Sequence, residues 1–165
     1  MSDSHIVQWS NSYSVGVKLI DDQHMELINL TNKLFSNCMA GREKAKTTFM
    51  DTINEAVNYT GYHFSTEEKV MEIVHYPEFA AHKKEHANFV KEVYCKAAEF
   101  KLGKPLAQLN FVYFLRDWVI HHIAWNDKKV GAFLVALRRS GELQKISLRV
   151  KTDKVTQRVE FHRAG

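Results

Sequence analysis

Four stretches of the chain repeat apolar residues at three- and four-residue steps, the period of a helix with one buried face. The first begins behind Asp21 and Asp22, which offer N-cap chemistry. It carries His24, Leu27, Ile28, Thr31, Phe35 and Cys38 to about Met39, where Gly41 ends it. The second runs from about Glu43 to Val74, with Phe49, Ile53, Ala56, Thr60, His63, Glu67, Val70 and Val74 on one stripe. Tyr76-Pro77 interrupts the pattern, because proline disfavours helix in the residue before it and suits the first turn of a new one. The third spans about Glu78 to Leu102, with Phe79, His82, His86, Phe89, Val93 and Phe100 inward. Gly103-Lys104-Pro105 repeats the stop and start. The fourth then carries Phe111, Leu115, Trp118, His122 and Trp125 inward and continues to about Arg138.

Four long amphipathic helices joined by short turns predict an all-α, up-down-up-down four-helix bundle over residues 1–139. Residues 1–20 hold Trp9, Tyr13, Val15, Val17 and Ile20 without helical period, which predicts an extended N-terminal arm laid across the bundle. From Ser140 the pattern changes in kind. Ile146, Leu148 and Val150 alternate, and Val159 and Phe161 alternate again beyond Asp153-Lys154, so residues 140–165 read as a separate extension. A β-hairpin turning at Asp153-Lys154 would set Leu148 opposite Val159 and Ile146 opposite Phe161, with the apolar residues on one side.

At 165 residues and 45% hydrophobic content, the chain is long enough for one domain with a sizeable core. No apolar run reaches the ~18–20 residues that span a bilayer, and the first residues lack the basic-then-apolar order of a secretory signal, so a soluble, cytoplasmic protein is expected. Cys38 and Cys95 share no close spacing and are expected to be free, buried thiols. The net charge of +4 is uneven: residues 1–137 carry 15 Lys+Arg against 16 Asp+Glu, and residues 138–165 carry 8 against 3. The bundle is near neutral and the extension basic. That favours self-association or an acidic partner for the extension. Nucleic acid is disfavoured, because no helix-turn-helix or aromatic-basic motif accompanies the charge.

The inward stripes contain polar residues that need an explanation. Of nine histidines, His5, His75, His121 and His162 fall off the stripes and read as surface residues. His24, His63, His82, His86 and His122 lie on the apolar stripes of four different helices, where an unpaired imidazole loses water without an obvious partner. Any one alone would be an ordinary core histidine bonded to a carbonyl. Five together, with i, i+4 pairs at His63/Glu67 and His82/His86, point to a common metal site, because residues four apart project from one helix face. Glu67 and Asp127 join them, and five imidazoles with two carboxylates exceed what one tetrahedral zinc needs. Two metals bridged by the carboxylates are the natural count. One spacing resists this picture. His122 and Asp127 are five apart, about 500° around an ideal helix, and so diverge by about 140°. Either the helix is distorted there or the aspartate reaches around from the side.

These residues carry a resemblance to a known family over about residues 9–134. Trp9, Val-Gly-Val-Lys-Leu-Ile-Asp-Asp-Gln-His24, His63-Phe-Ser-Thr-Glu67-Glu, Tyr-Pro-Glu-Phe-Ala-Ala-His82-Lys-Lys-Glu-His86 and Trp118-Val-Ile-His-His122-Ile with Asp127 resemble the bacterial hemerythrins. The resemblance implies a non-haem di-iron site that binds dioxygen reversibly. His82, His86 and His122 would hold one iron and His24 and His63 the other, with Glu67, Asp127 and an oxo or hydroxo group as bridges. Many relatives place a tyrosine three residues after the bridging aspartate, where this chain has Val130, so a hydrogen bond from that hydroxyl is missing here. Apolar neighbours such as Phe64, Val119 and Ile123 would exclude water from the site, or simply pack the core.

The function expected is therefore that of an oxygen carrier, store or buffer. The alternatives are an oxygen or redox sensor acting through the extension, and a di-iron enzyme acting on peroxide or nitric oxide. No acid–base constellation stands apart from the seven residues and no second cofactor motif is present, which counts against an enzyme.

Overall fold

The computed structural model describes residues 5–39 and 42–144. The expected hairpin, His162, the extension from Lys145 onward and the helix stop at Gly41 lie outside the described residues. The expected all-α bundle is borne out. Helices α1 (Lys18–Met39), α2 (Arg42–Ile73), α3 (Phe79–Lys101), α4 (Ala107–His121) and α5 (Lys128–Arg139) follow in order, and a π-helical turn over His122–Asp127 joins α4 to α5.

Two of the turns are written in local hydrogen bonds. At the end of α2, the Tyr76 N–H donates to Met71 O at 2.9 Å and the His75 N–H to Glu72 O at 3.2 Å, with His75 left-handed at φ 54°. At the end of α3, the Lys104 N–H donates to Glu99 O at 3.2 Å and the Gly103 N–H to Phe100 O at 2.9 Å, with Gly103 at φ 68°. Both are Schellman closures, which satisfy carbonyls that a helix end would otherwise leave unpaired.

α1 packs along α2 and α4, and α3 packs against α2 and α4, so the helices form a closed ring in chain order. The buried residues form two apolar layers. One holds Leu27, Leu34, Phe49, Ile53, Phe64, Phe89, Phe111, Val119 and Ile123; the other holds Ile20, Val70, Met71, Val74, Val130 and Leu134. Along α1 the chain leaves the second layer at Ile20, passes His24 and enters the first at Leu27. α2 makes the crossing in reverse, α3 repeats the α1 order from Phe79 to Phe89, and the fourth helix reverses it from Val119 to Val130. Every helix thus crosses the same polar band between the two layers, in alternating directions.

The N-terminal arm is held by side chains that satisfy its backbone. Asn32 accepts from the N–H groups of Ile6 and Val7 at 3.0 and 3.1 Å, and its amide donates to Val7 O at 2.9 Å. α1 begins three residues before the expected cap. Asp21 lies inside the first turn, buried, and its carboxylate reaches back to Ser14 Oγ at 2.6 Å and the Val15 N–H at 2.7 Å. The acid read as a helix cap is the clasp of the arm. Lys128, just past the π turn, completes it by donating to Ser14 O at 2.5 Å.

Candidate metal centre

The π turn resolves the awkward spacing of His122 and Asp127. Hydrogen bonds closing over five residues widen the turn, so a side chain five positions on returns to the same face. The distortion therefore lies in the helix, and both residues are buried, each with 1% exposure. The wider turn also changes the phase of what lies between them. Trp125, expected on the inward stripe, is 61% exposed, and Ile123 takes the inward position instead.

All seven residues singled out from the sequence meet in the polar band, none more than 5% exposed. Their ligating atoms fall into two sets, Glu67 with His82, His86 and His122, and Glu67 with His24, His63 and Asp127, each within 4.8 Å. Glu67 belongs to both. Its Oε2 lies 3.5 Å from His82 Nε2 and 3.4 Å from His86 Nε2, and its Oε1 lies 3.9 Å from His24 Nε2. Asp127 lies between the sets, with Oδ1 at 3.1 Å from His122 Nε2 and 3.4 Å from His82 Nε2, and Oδ2 at 3.0 Å from His24 Nε2. Glu67 Oε2 also lies 3.6 Å from His63 Nε2, so Glu67 reaches both sets through that one oxygen, whereas Asp127 turns one oxygen to each side.

On the three-histidine side the nitrogens converge. His86 Nε2 lies 3.1 Å from His82 Nε2 and 3.0 Å from His122 Nε2. A shared cation about 2.1 Å from each nitrogen, with right angles between its bonds, sets them about 3.0 Å apart, whereas a tetrahedral one needs about 3.4 Å. The spacing fits an octahedral cation better than a tetrahedral zinc. Both oxygens of Glu67 and of Asp127, both nitrogens of His24 and Nε2 of His63 are buried without a hydrogen-bond partner. A buried polar group left unpaired costs ~1–3 kcal/mol, so this concentration fits a cation that the donors share.

The electrostatics agree. Burial pushes His24 down and takes His63 down to about 3, favouring the neutral imidazole that binds metal. Burial pushes Asp127 well above its ordinary range, and the neighbouring Glu67 adds to this. Burial acts on Glu67 in the same sense, but the surrounding imidazoles, His63 first and then His122, His82 and His86, outweigh it and hold Glu67 well below. At His82, burial lowers the imidazole while pairing with Glu67 and Asp127 raises it, and the acids prevail. Two carboxylates in one dry band cannot both stay ionised on the strength of neutral histidines. A divalent cation would settle both.

Around the donors, Phe64 stacks on His86 with ring centroids 3.7 Å apart, and Trp118 stacks on His122 at 4.2 Å. Phe64, Val119 and Ile123 are buried as expected for a dry lining, and Val130 fills the second apolar layer. The outer faces of the imidazoles have partners that the pattern of stripes did not reveal. His63 Nδ1 lies 3.1 Å from Gln23 Oε1, His86 Nδ1 lies 3.1 Å from Glu68 Oε1, and Asn126 bonds Glu85 and approaches His122 Nδ1 at 3.3 Å. Gln23 and Glu68 sit immediately beside His24 and Glu67 in the chain, and a one-residue step on a helix aims them at the neighbouring helix. That adjacency was their only signal. His5, His75 and His121 are exposed, as expected. The cysteines depart from the expectation of buried thiols: Cys38 is only half-buried, which takes its thiol up to about 11, and Cys95 is exposed, since its position on α3 turns away from the bundle.

Residues 15–134 match the family described as the hemerythrin HHE cation binding domain. The bacteriohemerythrin of Stenotrophomonas maltophilia (strain R551-3) is 31% identical over 123 residues, covering 74% of this chain and 78% of that protein. The bacteriohemerythrin of Methylococcus capsulatus (Bath) is 30% identical over 132 residues, 79% and 98% of the respective chains. The crystal structure of a wild-type hemerythrin superposes with a TM-score of 0.69 at 28% identity, covering 77% of this chain and 96% of that one.

Proposed function

The chain belongs to the hemerythrin family, and from that premise we propose that it binds dioxygen reversibly at a centre of two non-haem irons, as a carrier, store or buffer. His82, His86 and His122 would hold one iron and His24 and His63 the other. Glu67 and Asp127 would span the pair together with an oxo or hydroxo bridge. The observation that carries this reading is that both carboxylates reach both histidine sets, Glu67 through Oε2 and Asp127 with one oxygen facing each.

Bound iron would supply electron transfer to and from dioxygen. The chain's residues set the conditions. Five neutral imidazoles against two carboxylates keep negative charge at the centre low, which disfavours high-valent iron and with it oxidative turnover, and we assign the chain no enzymatic role. The buried side chains of Phe64, Val119 and Ile123 keep water and protons from the pocket. Gln23 and Glu68 accept from Nδ1 of His63 and His86, which fixes the tautomer and leaves Nε2 free for metal. Among the described residues no helix is long and apolar enough to cross a membrane. Residues 1–139 would form the oxygen-binding unit and the basic extension a surface for self-association or an acidic partner.

The test is metal analysis of protein prepared without air, followed by absorption spectra before and after oxygen. Two irons per chain and a charge-transfer band that appears in air and fades on its removal support the reading. A single zinc overturns it, and so does irreversible oxidation, which would move the weight to a redox sensor or to an enzyme acting on peroxide or nitric oxide.

A further inference from the structure

The two halves of the centre differ in what stands behind their imidazoles. On the three-histidine side, His86 Nδ1 faces the Glu68 carboxylate at 3.1 Å, and Lys83 holds the other Glu68 oxygen at 2.8 Å. His122 Nδ1 lies 3.9 Å from a second carboxylate, Glu85, with the Asn126 amide between them. On the two-histidine side the hydrogen-bond partners are neutral, and the buried Asp21 carboxylate acts on His24 through its charge alone. His63 Nδ1 meets the Gln23 amide oxygen, Gln23 Nε2 donates to Thr66 Oγ1 at 3.2 Å, and His24 Nδ1 has no hydrogen-bond partner. A carboxylate behind a ligating histidine makes the imidazole a stronger donor than an amide does, and changing such a partner alters metal affinity by ~10–100-fold.

We propose that the centre fills in a fixed order, the three-histidine pocket first and the two-histidine pocket second, and that Glu68 is the positioning residue that sets the gap. This rests on the two-metal reading of the site. His86 Nε2, already 3.0–3.1 Å from the other two nitrogens, needs little rearrangement to share a cation with them, and the Glu68 carboxylate behind His86 adds donor strength. The second pocket offers two imidazoles and oxygens already shared with the first. At limiting metal the chain therefore holds one ion on the α3 side before any enters beside α1.

Glu68 suits a test because its side chain is 23% exposed, so its charge can be altered without disturbing the core. The experiment is a titration of the full metal-free chain with cobalt(II), followed by cobalt absorption and by Trp118 emission. Trp118 stacks on His122, so its fluorescence, isolated by difference from a Trp118→Phe chain, reports the three-histidine pocket. The expected result is quenching complete within the first equivalent and a second equivalent seen only by absorption. Glu68→Gln keeps an oxygen for His86 but removes the charge, and it should weaken the first step ~10-fold or more while leaving the second in place. Gln23→Glu should tighten the second step and close the gap from the other side.

Quenching spread evenly over two equivalents overturns the order, and an unchanged first step in Glu68→Gln overturns the role of Glu68. In both cases two cobalt ions still bind and the two-metal reading stands. Failure of any chain to bind two cobalt ions removes that reading together with the inference. If Gln23→Glu does not fold, Glu68→Gln decides alone, with circular dichroism confirming that its helices are intact.

Discussion

Removing metal from the loaded protein should cost it much of its stability, and the structure allows the size to be worked out. Six buried ligand atoms of the polar band have no hydrogen-bond partner: Nε2 of His24, Nε2 of His63, and both oxygens of Glu67 and Asp127. At ~1 kcal/mol each, the low end for an unsatisfied buried polar atom, they amount to ~6 kcal/mol, comparable with the ~5–15 kcal/mol that holds a domain folded. For a chain of this size ~1 kcal/mol moves the melting point by ~2–4 °C, so chelation should lower it by about 12–24 °C. The assay is thermal unfolding by circular dichroism of anaerobic iron-loaded protein beside the same protein after dialysis against a chelator. Stability should also climb with free metal, by ~1.4 kcal/mol for each tenfold increase above the dissociation constant of one site. Melting points within about 3 °C of each other would refute the reasoning, since the donors would then be satisfied by the protein itself.

Other perturbations probe the parts that frame the site. Gly131→Ala would place a Cβ 2.9 Å from Val15 Cβ and 3.0 Å from its carbonyl carbon, closer still to the carbonyl oxygen, so overpacking should cost ~1–3 kcal/mol in denaturant unfolding; an unchanged midpoint would mean that the arm shifts freely. Asn32→Ala removes three hydrogen bonds to Ile6 and Val7 and should cost ~2–4 kcal/mol, with faster amide exchange at Val7; protection equal to that of the parent chain would refute the anchoring role. In the metal-free protein, burial takes His63 down to about 3 while the unfolded chain keeps its ordinary value near 6.5. The unfolded state therefore binds the proton first, and the stability that neutral His63 supports above pH 6.5 should be lost as pH falls from 6.5 toward 3. Acid titration of chelated protein followed by denaturant unfolding tests this, and constant stability across that range would contradict it.

The bundle and the polar band were legible because both depend on periodicity. A stripe of apolar residues interrupted by His63 and Glu67 can only bury those side chains, and four such stripes can only bury them together. What periodicity could not express was a change of period. The 140° conflict between His122 and Asp127 was visible, but its resolution by a π turn was not, and carrying a single helical phase through that turn put Trp125 inside when it is exposed. Asp21 was misjudged because a buried acid clasping backbone N–H groups and a helix cap use the same chemistry; only the fold says which backbone it meets. Gln23 and Glu68 escaped notice because partners across helices leave no mark in a one-helix pattern. Cys95 shows the converse error, since the burial typical of a free cysteine does not override a position on the outer face of α3.

The central claim is that two histidine sets sharing Glu67 and Asp127 hold a pair of irons that takes up dioxygen and returns it. An oxygen electrode reading on the fully reduced, iron-loaded protein tests this most directly, with uptake on mixing and release on lowering the oxygen pressure measured over repeated cycles. The account predicts one dioxygen bound for each pair of irons, recovered as dioxygen on release. Oxygen consumed and not returned, or uptake unchanged when Asp127→Ala removes one of the two shared carboxylates, would contradict it.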